Sequence, residues 1–390
     1  MRVLFTTLAL AGHFHPLVPT ARALAAAGHE VAFAARAAFA PAVQHAGFRV
    51  FPSGLDRDTG EVLPQLRTLG ERDRMAFTAR EVFAGLRPRY LIPDLLALAA
   101  IWPPDLLVRE ESEYGGCIAA ECLGLPHAAI GIAAAGDHLP PDLITAPLNA
   151  HRAAHALPPD PDLAMLHRYL TLRPFPPGFQ DPALTVAPTT HYLRPTPADR
   201  SGPEGLPPWL AALPNQPVVY VGLGTVFNDP AVFRAVIAGL RDEALTLVVT
   251  VGRDQDPAAY GPQPPNVHIA RYIPLSLLLP RCTLAVTHGG SGTVMAALTH
   301  GLPLVVIPLS ADQPVNAARC AALGLGAVIA PANLTPEAAR EAVQAVLSDP
   351  AYRAAAGRMR AEIAALPGPE HAVALLERLA TERQPIVAAE

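Results

Sequence analysis

Residues 284–320 read LAVTHGGSGTVMAALTHGLPLVVIPLSADQPVNAARC, and the residue types along this stretch suit one kind of ligand. Leu284 to Thr287 is an apolar run fit for a buried parallel strand. His288 to Thr293 is a glycine-rich turn, and a helix is expected from about Val294 to His300. The free N–H groups and the dipole at a helix N-terminus attract an anion, and glycines let backbone approach it closely. His288, Gly290, Ser291, Gly292 and Thr293 are therefore candidate residues of a phosphate seat. A glycine cluster by itself requires no more than a tight strand-to-helix turn. The residues that follow add a second half: Leu304 to Pro308 is the next strand, which puts Ser310, Asp312 and Gln313 just past its C-terminal end, on the same sheet edge. A carboxylate that only accepts hydrogen bonds, beside an amide that both donates and accepts, suits a polyhydroxylated ligand. Phosphate and sugar hydroxyls held side by side describe a nucleotide sugar. The turn is not the dinucleotide GxGxxG fingerprint, and no acidic residue lies at the distance that motif needs for a ribose.

The elements that must position these residues alternate between strand and helix. Residues 2–10 read as a buried strand, Pro16 to Ala27 as a helix stopped by Gly28, and Glu30 to Arg36 as a strand. Asp105 to Arg109 is a further buried strand, followed by a helix over Tyr114–Leu123 and a strand at His127–Ile132. The pattern loosens over 56–104 and 136–182, where Met75, Phe83, Tyr90 and Phe175 are among the scattered apolar residues; insertions of this kind line a ligand cleft or simply pack on the surface. Prolines and glycines break every period over 194–217. Strands then return at Val218–Leu223, Thr246–Val251, Val267–Ala270, Leu284–Thr287 and Leu304–Pro308, and a last helix is expected over Pro369–Arg383. Such alternation predicts parallel sheets covered by helices on both faces.

The motif THGGSGTxxxALxxGLPxVxxPxxxDQPxNAxR closely resembles the donor-binding motif of family 1 glycosyltransferases of the GT-B fold, above all the bacterial enzymes that glycosylate antibiotics and other natural products. The resemblance runs from the first strand to the tail. It implies two Rossmann-like α/β domains facing each other across a cleft: an acceptor domain over 1–200, a linker over 201–216, a nucleotide-sugar domain over 217–368, and a tail over 369–390 crossing back to the first domain. It also implies an inverting, metal-independent transfer of a sugar from a thymidine or uridine diphosphate sugar to a hydroxyl of a small, largely apolar acceptor. By the same resemblance His288 and the Gly290–Thr293 turn serve the diphosphate, and Asp312 and Gln313 the sugar. Gly224 and Thr225 match a second phosphate loop, and Tyr272 and Ile273 a base-binding segment. One position departs: Ala296 stands where the family commonly has the Glu that grips ribose hydroxyls, which favours a thymidine over a uridine nucleotide. A nucleotide-sugar 2-epimerase of the same fold and a non-catalytic relative that binds a nucleotide or partner are the alternatives.

Sugar transfer needs a base for the acceptor hydroxyl. Gly12-His13-Phe14-His15-Pro16 matches the family's GHxxP, whose histidine is that base, and histidine is the side chain best suited to take a proton near neutral pH. His13 is placed on the turn after strand one, where the following helix N-terminus disfavours imidazolium; His15 is the alternative. A partner carboxylate would fix the tautomer, and Glu110 is the best positional match, with Glu111 and Glu113 beside it; a solvated acidic turn is the competing reading of all three.

Composition narrows the rest. The 390 residues fit two domains, and the net charge of −5 has no basic run behind it, which argues against nucleic acid. No lysine occurs, so a pyridoxal phosphate Schiff base and a P-loop lysine are excluded. Cys117, Cys122, Cys282 and Cys320 have no CxxC spacing and read as reduced thiols. MRVLFTTLALAG has the outline of a short signal peptide, yet its charged lead is nearly absent and it leads directly into a plausible helix, so a cytoplasmic location is expected. No apolar run approaches the ~20 residues of a spanning helix. Two D-x-D matches, at 56–58 and 254–256, sit in polar loops, no metal is expected, and a homodimer stays open.

Overall fold

In the computed structural model, residues 1–55, 68–136, 139–198, 207–212, 216–224 and 228–388 are described. Apolar strands, the central ones buried on both faces, organise them into two sheets in which every pairing is parallel. The first contains β1 (Arg2–Thr6), β2 (Glu30–Ala35), β3 (Arg49–Pro52), β4 (Leu106–Glu110), β5 (His127–Ile130), β6 (Leu170–Arg173) and β7 (Thr190–Tyr192), in the order β3-β2-β1-β4-β5-β6-β7. The second contains β8 (Val218–Gly222), β9 (Thr246–Thr250), β10 (Val267–Ala270), β11 (Leu284–Thr287), β12 (Leu304–Val306) and β13 (Gly326–Val328), in the order β10-β9-β8-β11-β12-β13. Period-two alternation sends Val3 and Phe5 to one helix layer and Leu4 to the other; Val219 and Val221 part from Val218 and Tyr220 in the same way. These are two Rossmann-like α/β domains, as the resemblance to the GT-B enzymes implies. In each sheet the strand order reverses at one place, between β1 and β4 and between β8 and β11, and ligands of open parallel sheets bind outside the strand C-termini at such a point.

The run with the outline of a signal peptide contains β1, a central strand with four of its five residues buried; the strand ends at Thr6 rather than at residue 10, and helix begins at Ala11, ahead of the expected Pro16. Among the described residues no helix is long and apolar enough to cross a membrane. Three further readings change. The stretch between 56 and 104 holds a continuous helical run over 71–101, whose middle, Thr78–Leu86, has wider π-type turns. The widening moves the apolar positions off the 3.6 period, and Pro88 and Pro93 read as breakers, so the sequence pattern hid the helix. Gly136–Pro182 likewise contains the helix Pro141–Ala154, with Pro147 inside it, and β6. Finally, the helix expected to begin at Val294 spans Ser291–Thr299, because Gly290 takes the extended N-cap conformation.

Of the expected linker, 207–212 and 216 fall among the described residues; Pro208–Ala212 forms one 3-10 turn, and the Trp209 ring stacks on His268 at 4.2 Å. The last helix, Pro369–Glu382, packs Leu375, Leu376 and Leu379 against Leu17, Val18 and Leu24 of the first domain.

Candidate functional site

His13 occupies the third position of a four-residue helix, Ala11–Phe14, that continues through a 3-10 turn, His15–Leu17, into Val18–Ala26. The ring is therefore inside the first helical turn rather than ahead of a helix N-terminus, as the sequence had suggested, and the charge that faces it is a carboxylate. Its Nδ1 lies 3.0 Å from Glu110 Oε1, with 18% of the His13 side chain and none of the Glu110 side chain exposed. The other carboxylate oxygen accepts the Ser112 N–H at 2.7 Å, so Glu110 is held from both sides. With Nδ1–H donating to that carboxylate, Nε2 keeps its lone pair. His15 is exposed on the next turn.

The acidic turn after β4 is not solvated. Glu110, Glu111 and Glu113 are all buried, and each has its own partners. Glu111 Oε1 accepts the Ile132 and Ala133 N–H groups at 2.8 Å, while its Oε2 meets Arg173 at 3.4 Å. Glu113 accepts from the Thr6 hydroxyl and the Gly116 N–H, and burial pushes its carboxyl above the usual carboxylate range. Beneath them the fully buried Arg109 donates to the Glu110, Glu111 and Glu113 carbonyls and to the Leu166 carbonyl. Arg109 has no place in the sequence reading, since an arginine that ends a strand gives no sign that it turns inward.

A recess at the same sheet edge is lined by Thr7, Leu8, Arg36, Ser53, Leu86 and Arg87 among others. Phe83, one of the scattered apolar residues of the long helical run, meets the His13 ring edge-on at 6.4 Å.

In the second domain His288 follows β11 and is 7% exposed. A side-chain carbon at Gly224 would lie 2.8 Å from its ring, and one at Gly290 would lie 2.5 Å from its Nε2. Glycine at both positions is what lets the loop after β8 and the turn after β11 close on the imidazole; Gly224 also has φ +74°. Thr225, the next residue of that loop, lies outside the described residues. Thr293 and Val294 donate their N–H groups to the Gly290 carbonyl, which leaves Ser291 and Gly292 as the amides that open the helix.

Asp312 and Gln313 arrive on the same edge after β12, but their side chains are already engaged. Asp312 Oδ2 accepts from Ser291 Oγ at 2.6 Å and from Asn316 Nδ2 at 2.8 Å. Gln313 Oε1 accepts the Leu309 and Ser310 N–H groups and is 1% exposed; the intervening Ala311 sits at φ +57°, a strained conformation for a residue with a Cβ. Asn316 also donates to the Gly289 carbonyl at 2.9 Å, tying the glycine turn to the Asp312 loop. Residue type alone gives Asn316 no role, although its i, i+4 spacing from Asp312 puts both on one helix face. Tyr272 lies under the Arg253 guanidinium at 3.9 Å, whereas Ile273 is 2% exposed and packed in the core, so that segment offers a ligand its tyrosine and its main chain. Among the described residues no group of three or more His, Cys, Asp or Glu could hold a metal ion. Asp256 of the second D-x-D match caps Ala258 instead, and the first match lies outside the described residues.

Burial holds the His288 ring down to about 4 against the opposing pull of Asp312, and His127 down to about 3, with Arg109 and Arg168 adding to it. Both folded values lie below the ordinary one near 6.5, so the unfolded chain binds more protons between about pH 4 and 6.5. Their contribution to stability is complete above about pH 6.5 and is lost as pH falls through that window, by about 1.4 kcal/mol per pH unit for each ring. Glu113, shifted upward, acts in the opposite sense. Urea midpoints measured from pH 7 to pH 4.5 are expected to fall, and more shallowly in His288→Gln; a flat profile would contradict the neutral, buried assignment.

Comparison with known proteins adds a second line. The family described as erythromycin biosynthesis protein CIII-like matches through its N-terminal domain over residues 22–224 and through its C-terminal domain over 232–379. Tylactone mycaminosyltransferase of Streptomyces fradiae is 32% identical, with 97% of this chain and 92% of that protein covered. Among solved structures, the calicheamicin glycosyltransferase superposes with a TM-score of 0.83 at 26% identity, covering 98% of each chain. The glycosyltransferase VinC in complex with dTDP superposes with a TM-score of 0.80 at 27% identity, covering 98% of this chain and all of that one.

Proposed function

The chain belongs to the erythromycin biosynthesis protein CIII-like glycosyltransferases, bacterial family 1 enzymes of natural-product biosynthesis, and we propose that it transfers a sugar from a thymidine diphosphate donor to a hydroxyl of a largely apolar acceptor. The observation that carries the mechanism is the His13–Glu110 pair at the C-terminal edge of one sheet, across from a glycine turn and helix N-terminus at the C-terminal edge of the other. The two edges meet: the Ala134 N–H on the loop after β5 donates to Ser291 Oγ at 2.7 Å. In this reading the acceptor sits in the recess near Thr7 and Leu8 and presents its hydroxyl to His13 Nε2. Glu110 stabilises the imidazolium that forms as the oxygen attacks the anomeric carbon.

The leaving diphosphate gains its negative charge against the Ser291 and Gly292 N–H groups and the helix dipole, a stabilisation that needs no metal ion. His288, uncharged near neutral pH, adds a hydrogen-bonding ring rather than a cation. Attack from the His13 side and departure toward the helix make a single displacement with inversion. Asp312 has one oxygen outside the Ser291 and Asn316 bonds with which to accept sugar hydroxyls. Gln313 shapes the loop through its amide oxygen, with its amide nitrogen as the group for the sugar. Tyr272 serves the base, and Ala296 leaves the ribose 2′ position without a carboxylate, as befits thymidine. The dTDP bound to the VinC relative supports the same choice. Action in the cytoplasm belongs to this reading.

A thermal-shift panel tests the donor directly, because a ligand that binds only the folded chain raises Tm. Thymidine diphosphate is expected to give the largest shift, uridine diphosphate a smaller one and guanosine diphosphate none. Equal shifts from all three would remove the thymidine assignment.

A further inference from the structure

Adjacent residues at the end of an extended strand point to opposite sides, and here the two sides belong to different tasks. Glu110 turns to His13, whereas Glu111 turns to the segment 132–135, which leaves β5 and reaches the second domain. Glu111 accepts the first two N–H groups of that segment, from Ile132 and Ala133. Arg173, on β6, closes the arrangement by bonding Glu111 and the Ala133 carbonyl, at 3.4 and 2.8 Å. The next two N–H groups cross the domain boundary: Ala134 donates to Ser291 Oγ at 2.7 Å and Ala135 to Asn316 Oδ1 at 3.3 Å.

Those two acceptors organise the donor turn. Ser291 Oγ accepts hydrogen bonds from Ala134 and Asn316 and donates one to Asp312, so the hydroxyl's orientation is fully specified. Asn316 splits its amide between the two domains, with oxygen toward Ala135 and nitrogen toward Gly289, Ser291 and Asp312. Four consecutive amides thus run from a carboxylate of the first domain to the helix that opens on the diphosphate.

We propose that Glu111 is a positioning residue for the donor: by holding residues 132–135 against Ser291 and Asn316, it makes the diphosphate turn a structure built by both domains. The inference rests on the donor reading above. Removing the carboxylate frees two half-buried N–H groups and loosens the segment, so the donor turn loses its cross-domain support while His13 and Glu110 keep theirs.

The test measures thymidine diphosphate binding by calorimetry and steady-state kinetics with the full chain. Glu111→Ala is expected to weaken thymidine diphosphate binding and raise the donor KM about tenfold, the worth of roughly one hydrogen bond at the turn. The acceptor KM and the pH dependence of kcat should stay as in the parent. Glu111→Gln, whose amide oxygen can still accept both N–H groups, should recover most of the loss. Combined with Ser291→Ala, Glu111→Ala should add little, because both act through the same contact. Unchanged thymidine diphosphate affinity in Glu111→Ala, additive losses in the double variant, or parallel rises in donor and acceptor KM would overturn the proposal.

Hydrogen exchange on the unmodified chain supplies a reading that does not depend on the variants folding. Thymidine diphosphate is expected to slow exchange in residues 131–136, and protection confined to the second domain would overturn the coupling. Failure of the parent chain to bind thymidine, uridine or guanosine diphosphate would instead overturn the donor reading, and this inference with it.

Discussion

His13→Ala is expected to lower kcat by about 10²- to 10⁴-fold, the usual worth of a positioned general base, while thymidine diphosphate binds as before. The separation follows from placement: His13 stands on the first sheet beside Glu110, and no diphosphate contact is assigned to it. Glu110→Gln probes the same pair more finely. Glu110 Oε2 accepts from Ser112, so the amide oxygen of a glutamine is drawn to that N–H and its NH2 group is turned to His13. Facing a donor, Nδ1 must become the acceptor and Nε2 must carry the proton, which is the wrong tautomer for a base. Glu110→Gln should therefore also lose most of kcat with donor affinity intact. Full turnover in either variant would remove His13 from the mechanism.

Gly290→Ala is expected to raise the donor KM about 10- to 100-fold, equivalent to roughly 1.4–2.8 kcal/mol of binding. The backbone there, φ −63° and ψ 137°, suits alanine, so the chain is not strained by the change itself. The added carbon would lie 2.5 Å from His288 Nε2, well inside contact distance. The ring has little room to yield: it is 7% exposed, and the loop after β8 borders it closely enough that a side-chain carbon at Gly224 would lie 2.8 Å away. Either the imidazole or the glycine turn must move, and both belong to the proposed diphosphate seat. Steady-state kinetics at saturating acceptor, with thymidine diphosphate titrations alongside, checks this; a donor KM equal to that of the parent would show that the turn does not meet the ligand.

The sequence carries much of this arrangement because its chemistry is local. A strand, a glycine turn and a helix follow one another within sixteen residues from Leu284 to Thr299, so the position of His288 at the head of the turn is readable from its neighbours, although the loop that closes over its ring from Gly224 is not. The central strands were legible for the same reason, as apolar runs bounded by turn residues. The short outer strands β3, β7 and β13, of three or four residues each, carry too little pattern to be read. The helical run over 71–101 was hidden by its π turns and prolines. The identity of the His13 partner depends on which way three neighbouring glutamates turn, a property of packing around Arg109, Thr6 and Arg173 that spacing cannot express. The segment 132–135 has no chemical side chain at all, so its contact with Ser291, made through main-chain N–H groups, leaves no trace in residue types.

A crystal structure of the chain with thymidine diphosphate bears most directly on the claim that one imidazole and one anion-binding turn, from different domains, act on the same pair of substrates. The terminal phosphate should accept from the Ser291 and Gly292 N–H groups, with the oxygen that would carry the sugar directed toward His13 Nε2. A terminal phosphate bound away from that turn, or directed away from His13, would contradict it.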